Sequence, residues 1–416
     1  MRIKFQIGGE RTRPRVRQWT PRPPLRSAPP RNDTRGACAP RAHIFVRLTR
    51  HVIQAQITRT ELPMISKISL TIISLAACVV LASCTTTSPR VGSFAPRVGD
   101  EIVVAGKYVH TGTPVVLWSD PGGYDAYRVE KRFVPFDQSE WKTVSANTNH
   151  TGTPNRYNLR RNDLTPEEIE RVRGGGWDLP TLQRVVDQFV LHFDVCGVSR
   201  TCFNVLHDHR TLSVHFMLDI DGTIYQTLDV KERAWHATTS NSRSVGIEIA
   251  NMGAYQKVEG SALEKWYGKD ADGKTRITLP ERIGDGGVRT PNFIGRPARN
   301  EPVTGEVQGE MLTQYDFTPE QYKALAHLTA ALTQVLPKIN CDYPRDTEGK
   351  LITRKLDDEA LQNYHGVMGH YHVQSNKNDP GPALDWDYVI NTARELTSTN
   401  KSTRPVSPKH QGREQF

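Results

Sequence analysis

Cysteine is scarce in this chain of 416 residues, which contains six. Small secreted domains that disulfides hold together carry a much higher proportion of cysteine, so the sequence does not belong to that class. An apolar run long enough to cross a bilayer is also missing. The most apolar stretch, Ile68–Ala82, is shorter than the roughly 20 residues that a membrane-spanning helix needs.

Acidic residues are almost missing from the first 63 residues, which hold 14 Lys and Arg against 3 Asp and Glu. The net charge of the whole chain is +9, so residues 64–416 carry a net charge of −2. The folded part therefore lacks the basic excess of a nucleic-acid-binding protein, and we expect no nucleic-acid partner. Residues 1–63 also lack a periodic apolar pattern and cannot bury a core. We interpret them as disordered upstream sequence. In this interpretation Met64 is the real start, and residues 1–63 are included because the start was misassigned to Met1.

Residues 64–83 have the order of a secretion signal, with Lys67 before the apolar run and small residues after it. The ending Leu-Ala-Ser-Cys at Cys84 resembles the lipobox of bacterial lipoproteins. This resemblance implies a lipid on Cys84 and a periplasmic protein in the cell envelope, and Thr85 resembles the sorting preference for the outer membrane. The alternative interpretation is a short buried helix with a chance cysteine.

The rest of the chain interleaves predicted strands and helices, which indicates an α/β layer fold. A long segment, residues 254–316, is rich in Gly, Pro and charged residues and follows the predicted buried strand Ser244–Ala250. Because long ordered loops are usually functional, we predict that it forms a rim over a substrate groove. The expected segments are a tether (84–98), a β-rich N-terminal extension (99–160), the main domain (161–396) with the insertion (254–316), and a disordered tail (397–416).

Side chains that bind metals are concentrated in Gly369–Trp386. His370 and Asp379 offer the imidazole nitrogen and carboxylate oxygen that zinc accepts. On an extended chain, His370 and His372 would point to opposite faces, so only one of them can be a ligand. Hydrolytic zinc sites usually take three protein ligands, and His192, at the end of a predicted buried strand, is the best third candidate. The alternatives are a core histidine at position 192 and a turn-capping role for Asp379.

Glu248 lies between two isoleucines on the predicted buried strand Ser244–Ala250. A buried carboxylate is costly and needs a reason. One reason is general-base catalysis, with a pKa tuned by burial and by neighbouring groups. The other is a buried ion pair.

Five local motifs occur in one order and together resemble the zinc-dependent N-acetylmuramoyl-L-alanine amidases of the type 2 class, which includes AmpD-like enzymes and the peptidoglycan recognition proteins. The motifs are Val190-Leu-His192, Ser213-Val-His-Phe216, Arg233-Ala-Trp-His236, Ser244-Val-Gly-Ile-Glu248, and Gly369-His370 with Lys377-Asn-Asp-Pro-Gly381.

The resemblance implies a mixed central β-sheet flanked by helices. It implies that His192, His370 and Asp379 hold Zn²⁺, that Glu248 is the general base and that Lys377 stabilises the oxyanion. His236 resembles a substrate-contacting residue of the family, although a structural role is equally open. The implied reaction is hydrolysis of the amide bond between N-acetylmuramic acid and L-alanine in peptidoglycan or muropeptides.

Cys196 and Cys202 have the spacing of a disulfide in the peptidoglycan recognition proteins, and the resemblance implies that they form one. Alternatively, both are reduced core residues.

Two rival functions remain open: a non-catalytic peptidoglycan-binding envelope lipoprotein on the same fold, and a structural envelope lipoprotein that uses residues 99–145 for protein contacts. The oligomeric state does not follow from the sequence.

Overall fold

The computed structural model describes residues 89–127, 157–160, 163–173, 175–210 and 212–398, all within the unit Cys84–Phe416. The predicted upstream sequence, signal and lipidation site at Cys84 lie outside the described residues, as does the tail from residue 399 onwards. Within the described residues, no helix has the length and apolarity needed to cross a membrane.

A six-stranded mixed sheet forms the centre of the fold. Its strands, in spatial order, are β14 (Gly366–Gly369), β5 (Gln188–Phe193), β9 (Ser244–Ile249), β6 (Phe216–Leu218), β7 (Ile224–Gln226) and β3 (Val115–Leu117). Strands β14, β5, β9 and β6 run parallel to one another, whereas β7 is antiparallel to β6 and parallel to β3. In chain order the described strands are β1 (Glu101–Val104), β2 (Lys107–His110), β3 (Val115–Leu117), β4 (Tyr157–Leu159), β5 (Gln188–Phe193), β6 (Phe216–Leu218), β7 (Ile224–Gln226), β8 (Glu232–Ala234), β9 (Ser244–Ile249), β10 (Tyr267–Lys269), β11 (Thr275–Ile277), β12 (Val303–Val307), β13 (Glu310–Gln314) and β14 (Gly366–Gly369).

Helices flank this sheet, as the sequence predicts for the fold class. In chain order the described α-helices are α1 (Pro166–Arg173), α2 (Leu179–Val185), α3 (Ser199–Phe203), α4 (Ala262–Trp266), α5 (Pro319–Val335), α6 (Asp358–Asn363), α7 (His370–Val373) and α8 (Trp386–Ser398). A π-helical segment, Asn204–His209, follows α3. Helix α8 continues through Thr397 and Ser398, which were expected to begin the tail.

Local sequence signals explain where the longest helix begins. The Thr318 hydroxyl accepts the N–H of Gln321 at 3.1 Å, and the Gln321 side chain accepts the N–H of Thr318 at 2.9 Å. This reciprocal cap satisfies two backbone donors that a helix otherwise leaves free. Helix α5 then buries Leu325, Leu328 and Leu332 in the main core.

One face of the sheet packs against the main core, and the opposite face carries candidate site residues. Leu191 and Ile247 face the main core, which also contains α5 residues. Because side chains alternate along a strand, the neighbouring His192 and Glu248 point to the opposite face. The same alternation places Gly246 on the face of Glu248.

Residues outside the main domain also contribute to the sheet. Strand β3, from the predicted N-terminal extension, pairs with β7 at the sheet edge, and Ile102 of β1 is fully buried in the main core. The insertion 254–316 carries α4 and the hairpins β10–β11 and β12–β13. Its residues Leu263, Trp266 and Tyr267 form a small apolar cluster together with Met252, which precedes the insertion.

Candidate metal centre and catalytic site

Three neighbouring parallel strands deliver the predicted site residues to one end of the sheet. His192 is near the carboxyl end of β5, and His370 directly follows β14, whose Gly369 is in register with Leu191. On the other side of β5, Glu248 of β9 is in register with His192. The carboxyl ends of parallel strands are where α/β folds bind ligands. The structure therefore brings together residues that are distant in the sequence.

One carboxylate oxygen lies between two imidazoles. Oδ2 of Asp379 lies 2.8 Å from Nδ1 of His192 and 2.9 Å from Nδ1 of His370. One ligand atom from each of the three residues lies within 4.8 Å of the other two, and all three residues are buried. Two imidazole nitrogens and a carboxylate oxygen are a donor set that zinc accepts, and the set leaves a coordination position for a non-protein ligand.

The charges of this cluster suit a cation. Burial lowers the pKa of His192 to about 4, with a further contribution from neighbouring His370, so His192 is a neutral imidazole at neutral pH. Burial alone would raise the pKa of Asp379, but His370 and His192 lower it well below its usual range. A neutral histidine and an ionised aspartate are the protonation states in which these side chains bind metals.

The second ring nitrogen of each predicted ligand histidine also has a partner. Nε2 of His192 lies 3.0 Å from Nδ1 of His236, and Nε2 of His370 lies 2.8 Å from Oε1 of Gln374. If Nδ1 of each ligand presents its lone pair to a cation, the proton sits on Nε2 and is donated to these acceptors. Such bonds fix the tautomer and ring orientation of metal-binding histidines. The contacts therefore fit a metal centre.

Gln374 is a site residue that the sequence reasoning missed. It follows His370 by four residues, the spacing that brings two side chains together on a helix. The sequence suggests an extended chain at this point, and this expectation is wrong, because His370 begins α7. His372 is fully buried and fixed by two hydrogen bonds: its Nδ1 accepts the N–H of Gly369 at 2.9 Å, and its Nε2 lies 2.6 Å from the carbonyl oxygen of Ile352.

His236 is held against strand β9. Gly246 leaves the necessary space, because a Cβ atom at position 246 would lie 2.5 Å from the His236 ring. Nε2 of His236 lies 3.2 Å from Oγ of Ser244. His236 also lines the cavity, as its predicted substrate contact requires. The structure adds a contact with His192 that the sequence did not indicate.

Glu248 reaches the same cavity from the neighbouring strand. Only 9% of the residue is exposed, and burial raises its pKa well above the usual value, with the charge of Asp379 as the next cause. The positive charge of Lys377 opposes this rise. A carboxylate whose pKa is raised is a stronger base than an ordinary carboxylate, so Glu248 is a candidate for proton transfer beside the His192, His370 and Asp379 cluster.

A cavity of about 410 Å³ opens over these residues. Its wall is polar where it is formed by Asn376, Lys377 and Asn378, and more apolar where it is formed by Val205, Leu206 and Leu212. This size and mixed lining suit a ligand that carries both polar and apolar groups. Lys377 is therefore placed where its charge acts on both the cavity and the metal cluster.

The predicted Cys196–Cys202 disulfide is absent from the structure, where both residues are free cysteines. Their sulfur atoms nevertheless lie within 4.8 Å of each other, next to Asp194. A hydrogen bond with Cys196 raises the pKa of the Cys202 thiol well above its usual value, and burial raises it further. The folded chain thus brings the two thiols close together, but Cys202 is held as a protonated thiol, which is the unreactive form.

Comparisons with known proteins bear on this site. The model of the N-acetylmuramoyl-L-alanine amidase family matches residues 182–382, and a search of curated proteins gave no match. Among solved structures, a selenomethionine derivative of AmpD is 18% identical, with 58% of this chain and 89% of that chain covered and a TM-score of 0.26.

Two further solved structures are similar at the same level. AmiD from E. coli, in complex with its substrate anhydro-N-acetylmuramic acid-L-Ala-D-γ-Glu-L-Lys, is 16% identical, with 50% and 57% of the two chains covered and a TM-score of 0.27. The endolysin amidase LysCS from Clostridium intestinale is 15% identical, with 53% and 86% covered and a TM-score of 0.25. The stretch that the family model matches contains all the predicted ligands and the predicted base.

Proposed function

We propose that this protein is a zinc-dependent N-acetylmuramoyl-L-alanine amidase, which hydrolyses the amide bond between N-acetylmuramic acid and L-alanine in peptidoglycan or muropeptides. The observation that carries the proposal is the convergence of His192 and His370 on one oxygen of Asp379, with Glu248 in register beside His192. The family-model match supports the choice of substrate.

In this proposal His192, His370 and Asp379 hold the metal. A bound zinc would act as a Lewis acid and would lower the pKa of water, so that a nucleophile is available near neutral pH. The Glu248 carboxylate takes a proton from the attacking water and delivers it to the nitrogen of the leaving amine. Its raised pKa makes the carboxylate a stronger base than an ordinary glutamate, which favours the first of these transfers.

Lys377 has a different role from Glu248. Its ammonium group cannot act as a base while it is charged, but it can stabilise negative charge on the oxygen of the scissile amide. Lys377 is partly buried, and charges interact more strongly away from bulk water. Lys377 and Glu248 therefore supply the charge stabilisation and the proton transfer, respectively.

The test is mass spectrometry of muropeptide digests. Purified protein with zinc should release free stem peptide that begins with L-alanine, and a chelator should abolish this release until zinc is restored. The Glu248→Gln variant is the matched control, because it keeps the shape of the side chain. Muropeptide that is bound but not cleaved by the zinc-loaded protein would contradict the proposal and indicate a recognition protein instead.

We also propose that the mature protein is a periplasmic lipoprotein anchored at the outer membrane through Cys84. The support is the order of Lys67, the apolar run Ile68–Ala82 and the lipobox-like ending. More than one acyl chain is needed for stable anchoring. Mass spectrometry of native protein should find an acylated Cys84 as the first residue. Peptides from residues 1–63 would refute this assignment.

A further inference from the structure

The hairpin β12–β13 of the insertion turns through an unusual residue. Val307 pairs with Glu310, so Gln308 and Gly309 form a two-residue turn, with φ angles of +55° and +79°. Such a turn needs positive φ at both positions and favours Asn, Asp or Gly. A glutamine in the left-handed region is uncommon, and residues held in such conformations often have a functional reason.

The Gln308 side chain lies against the backbone of the segment that carries the catalytic groups. Its Nε2 atom lies 2.8 Å from the carbonyl oxygen of Tyr371, 3.0 Å from that of Gln374 and 3.2 Å from that of Lys377. Its Oε1 atom accepts the N–H of Lys355 at 3.1 Å. The amide has two N–H groups, so the three carbonyls share them, and one side chain closes the whole turn from α7 to Lys377.

The base of the same hairpin holds the other end of this segment. The buried Gln314 side chain donates to the carbonyl oxygen of Pro380 at 3.1 Å and accepts the N–H of Ala383 at 3.0 Å. Gly381 is required for this approach, because a Cβ atom there would lie 2.1 Å from Oε1 of Gln314. Gln308 and Gln314 of this hairpin therefore form hydrogen bonds with the two ends of the stretch that contains Lys377 and Asp379.

We propose that Gln308 is a positioning residue for the amidase reaction, which acts by fixing the backbone from which Lys377 reaches the cavity. This inference rests on the proposed function. Lys377 has a long, flexible side chain, so its charge can be placed accurately only if its own backbone is fixed. Asp379 has the separate support of Gln314 and of the bond from the Tyr371 N–H to its carbonyl oxygen. Loss of Gln308 should therefore disturb Lys377 more than the metal ligands.

The first experiment compares zinc content, kcat and KM for Gln308→Ala, Gln308→Glu and Thr304→Ala. Thr304 is an exposed residue of the same hairpin, bonded to Thr313 and not to the catalytic segment, so its variant controls for general damage to the hairpin. We expect Gln308→Ala to keep zinc and KM and to lose about tenfold in kcat, which is part of the roughly 10²–10³ that one oxyanion-stabilising group contributes. Gln308→Glu should lose at least as much, because it faces the same carbonyls without N–H groups.

The second experiment combines Gln308→Ala with Lys377→Ala. If Gln308 acts through Lys377, the double variant should be no slower than Lys377→Ala alone. A full additional loss in the double variant, loss of zinc in Gln308→Ala, or a kcat within twofold of the Thr304→Ala control would each overturn the proposal.

Hydrogen exchange gives a measure that does not depend on turnover. The N–H of Lys377 bonds to the carbonyl of Gln374 at 3.2 Å, and it should exchange faster in Gln308→Ala than in the Thr304→Ala control. Unchanged exchange would show that Gln308 does not fix this segment. If the wild-type protein cleaves no muropeptide, the proposed function fails by itself, and the exchange comparison alone then decides whether Gln308 holds the segment.

Discussion

Nε2 of His192 and Nδ1 of His236 lie 3.0 Å apart, on the side of the His192 ring that faces away from Asp379. Burial lowers the pKa of His236 well below its usual value, so the ring stays neutral and can accept a proton in a hydrogen bond. If Nε2 of His236 donates its proton to Oγ of Ser244, Nδ1 is left as the acceptor for His192. His236 therefore orients His192 through its ring.

This relationship predicts that His236 controls metal affinity. His236→Ala should weaken zinc binding by about 10–100-fold, the usual effect of losing a hydrogen-bond partner of a metal ligand. Titration against a competing chelator measures the affinity, and Ser244→Ala, which removes only the outer bond, should have a smaller effect. An unchanged affinity in His236→Ala with slower muropeptide turnover would instead assign the residue to substrate contact alone.

The assignment of Glu248 as the base predicts a loss of rate without a loss of metal. Glu248→Gln should retain zinc and bind muropeptide, while the hydrolysis rate falls by roughly 10²–10⁴, the usual contribution of a positioned general base. Zinc per chain and turnover should be measured on the same preparation. Full activity of this variant would reduce Glu248 to a buried structural carboxyl.

Two histidines of the same short helix should respond differently to substitution. His370→Ala removes a predicted metal ligand, so zinc content and activity should both fall while the fold persists. His372→Ala removes two buried hydrogen bonds, which should lower the free energy of unfolding by roughly 1–3 kcal/mol and leave zinc bound. Zinc analysis and urea unfolding of both variants make the comparison. Loss of zinc from a folded His372→Ala protein would contradict these assignments.

The sequence predicts the parts of this fold that depend on local patterns. The buried strands of His192 and Glu248 are visible as apolar runs, the helix after Thr318 as a capping motif, and the hairpin around Asp219–Gly222 as a turn signal. The three predicted metal ligands are recognisable because their residue types and order resemble those of a known family. Each of these signals lies within a few residues of the feature that it predicts.

The features that the sequence does not predict depend on distant contacts. Four residues, His370–Val373, form a helix directly after a strand, and the alternating pattern there favours an extended chain. The role of Gln308 depends on carbonyl groups more than 60 residues further along the chain, and its side chain carries no local sign of it. The rim over the groove that the sequence predicts for the insertion stays a prediction, and the contacts of hairpin β12–β13 with the segment that carries Lys377 are a separate feature that the sequence does not indicate.

Asp219, at the β6–β7 turn, should make the free energy of unfolding depend on pH. Its Oδ1 accepts the N–H of Ile220 at 2.9 Å, and its buried Oδ2 has no hydrogen-bond partner among the described residues. Burial raises the pKa of Asp219 to about 7, and the charges of Asp221 and Asp194 add to the rise. Because the folded state holds this proton more tightly than the unfolded state, Asp219 makes the protein less stable as the pH rises from about 4 to 7.

The Asp219→Asn variant isolates this effect, because its amide stays neutral at every pH. Between pH 5 and pH 8, the wild-type free energy of unfolding should fall by about 2–3 kcal/mol more than that of the variant, given about 1.4 kcal/mol per pKa unit. Urea unfolding at both pH values measures the difference, and Asp221→Asn serves as the neighbouring control, with a smaller change. Parallel pH dependences of wild type and Asp219→Asn would show that Asp219 is ionised in the folded protein at pH 5, and the raised pKa would then be wrong.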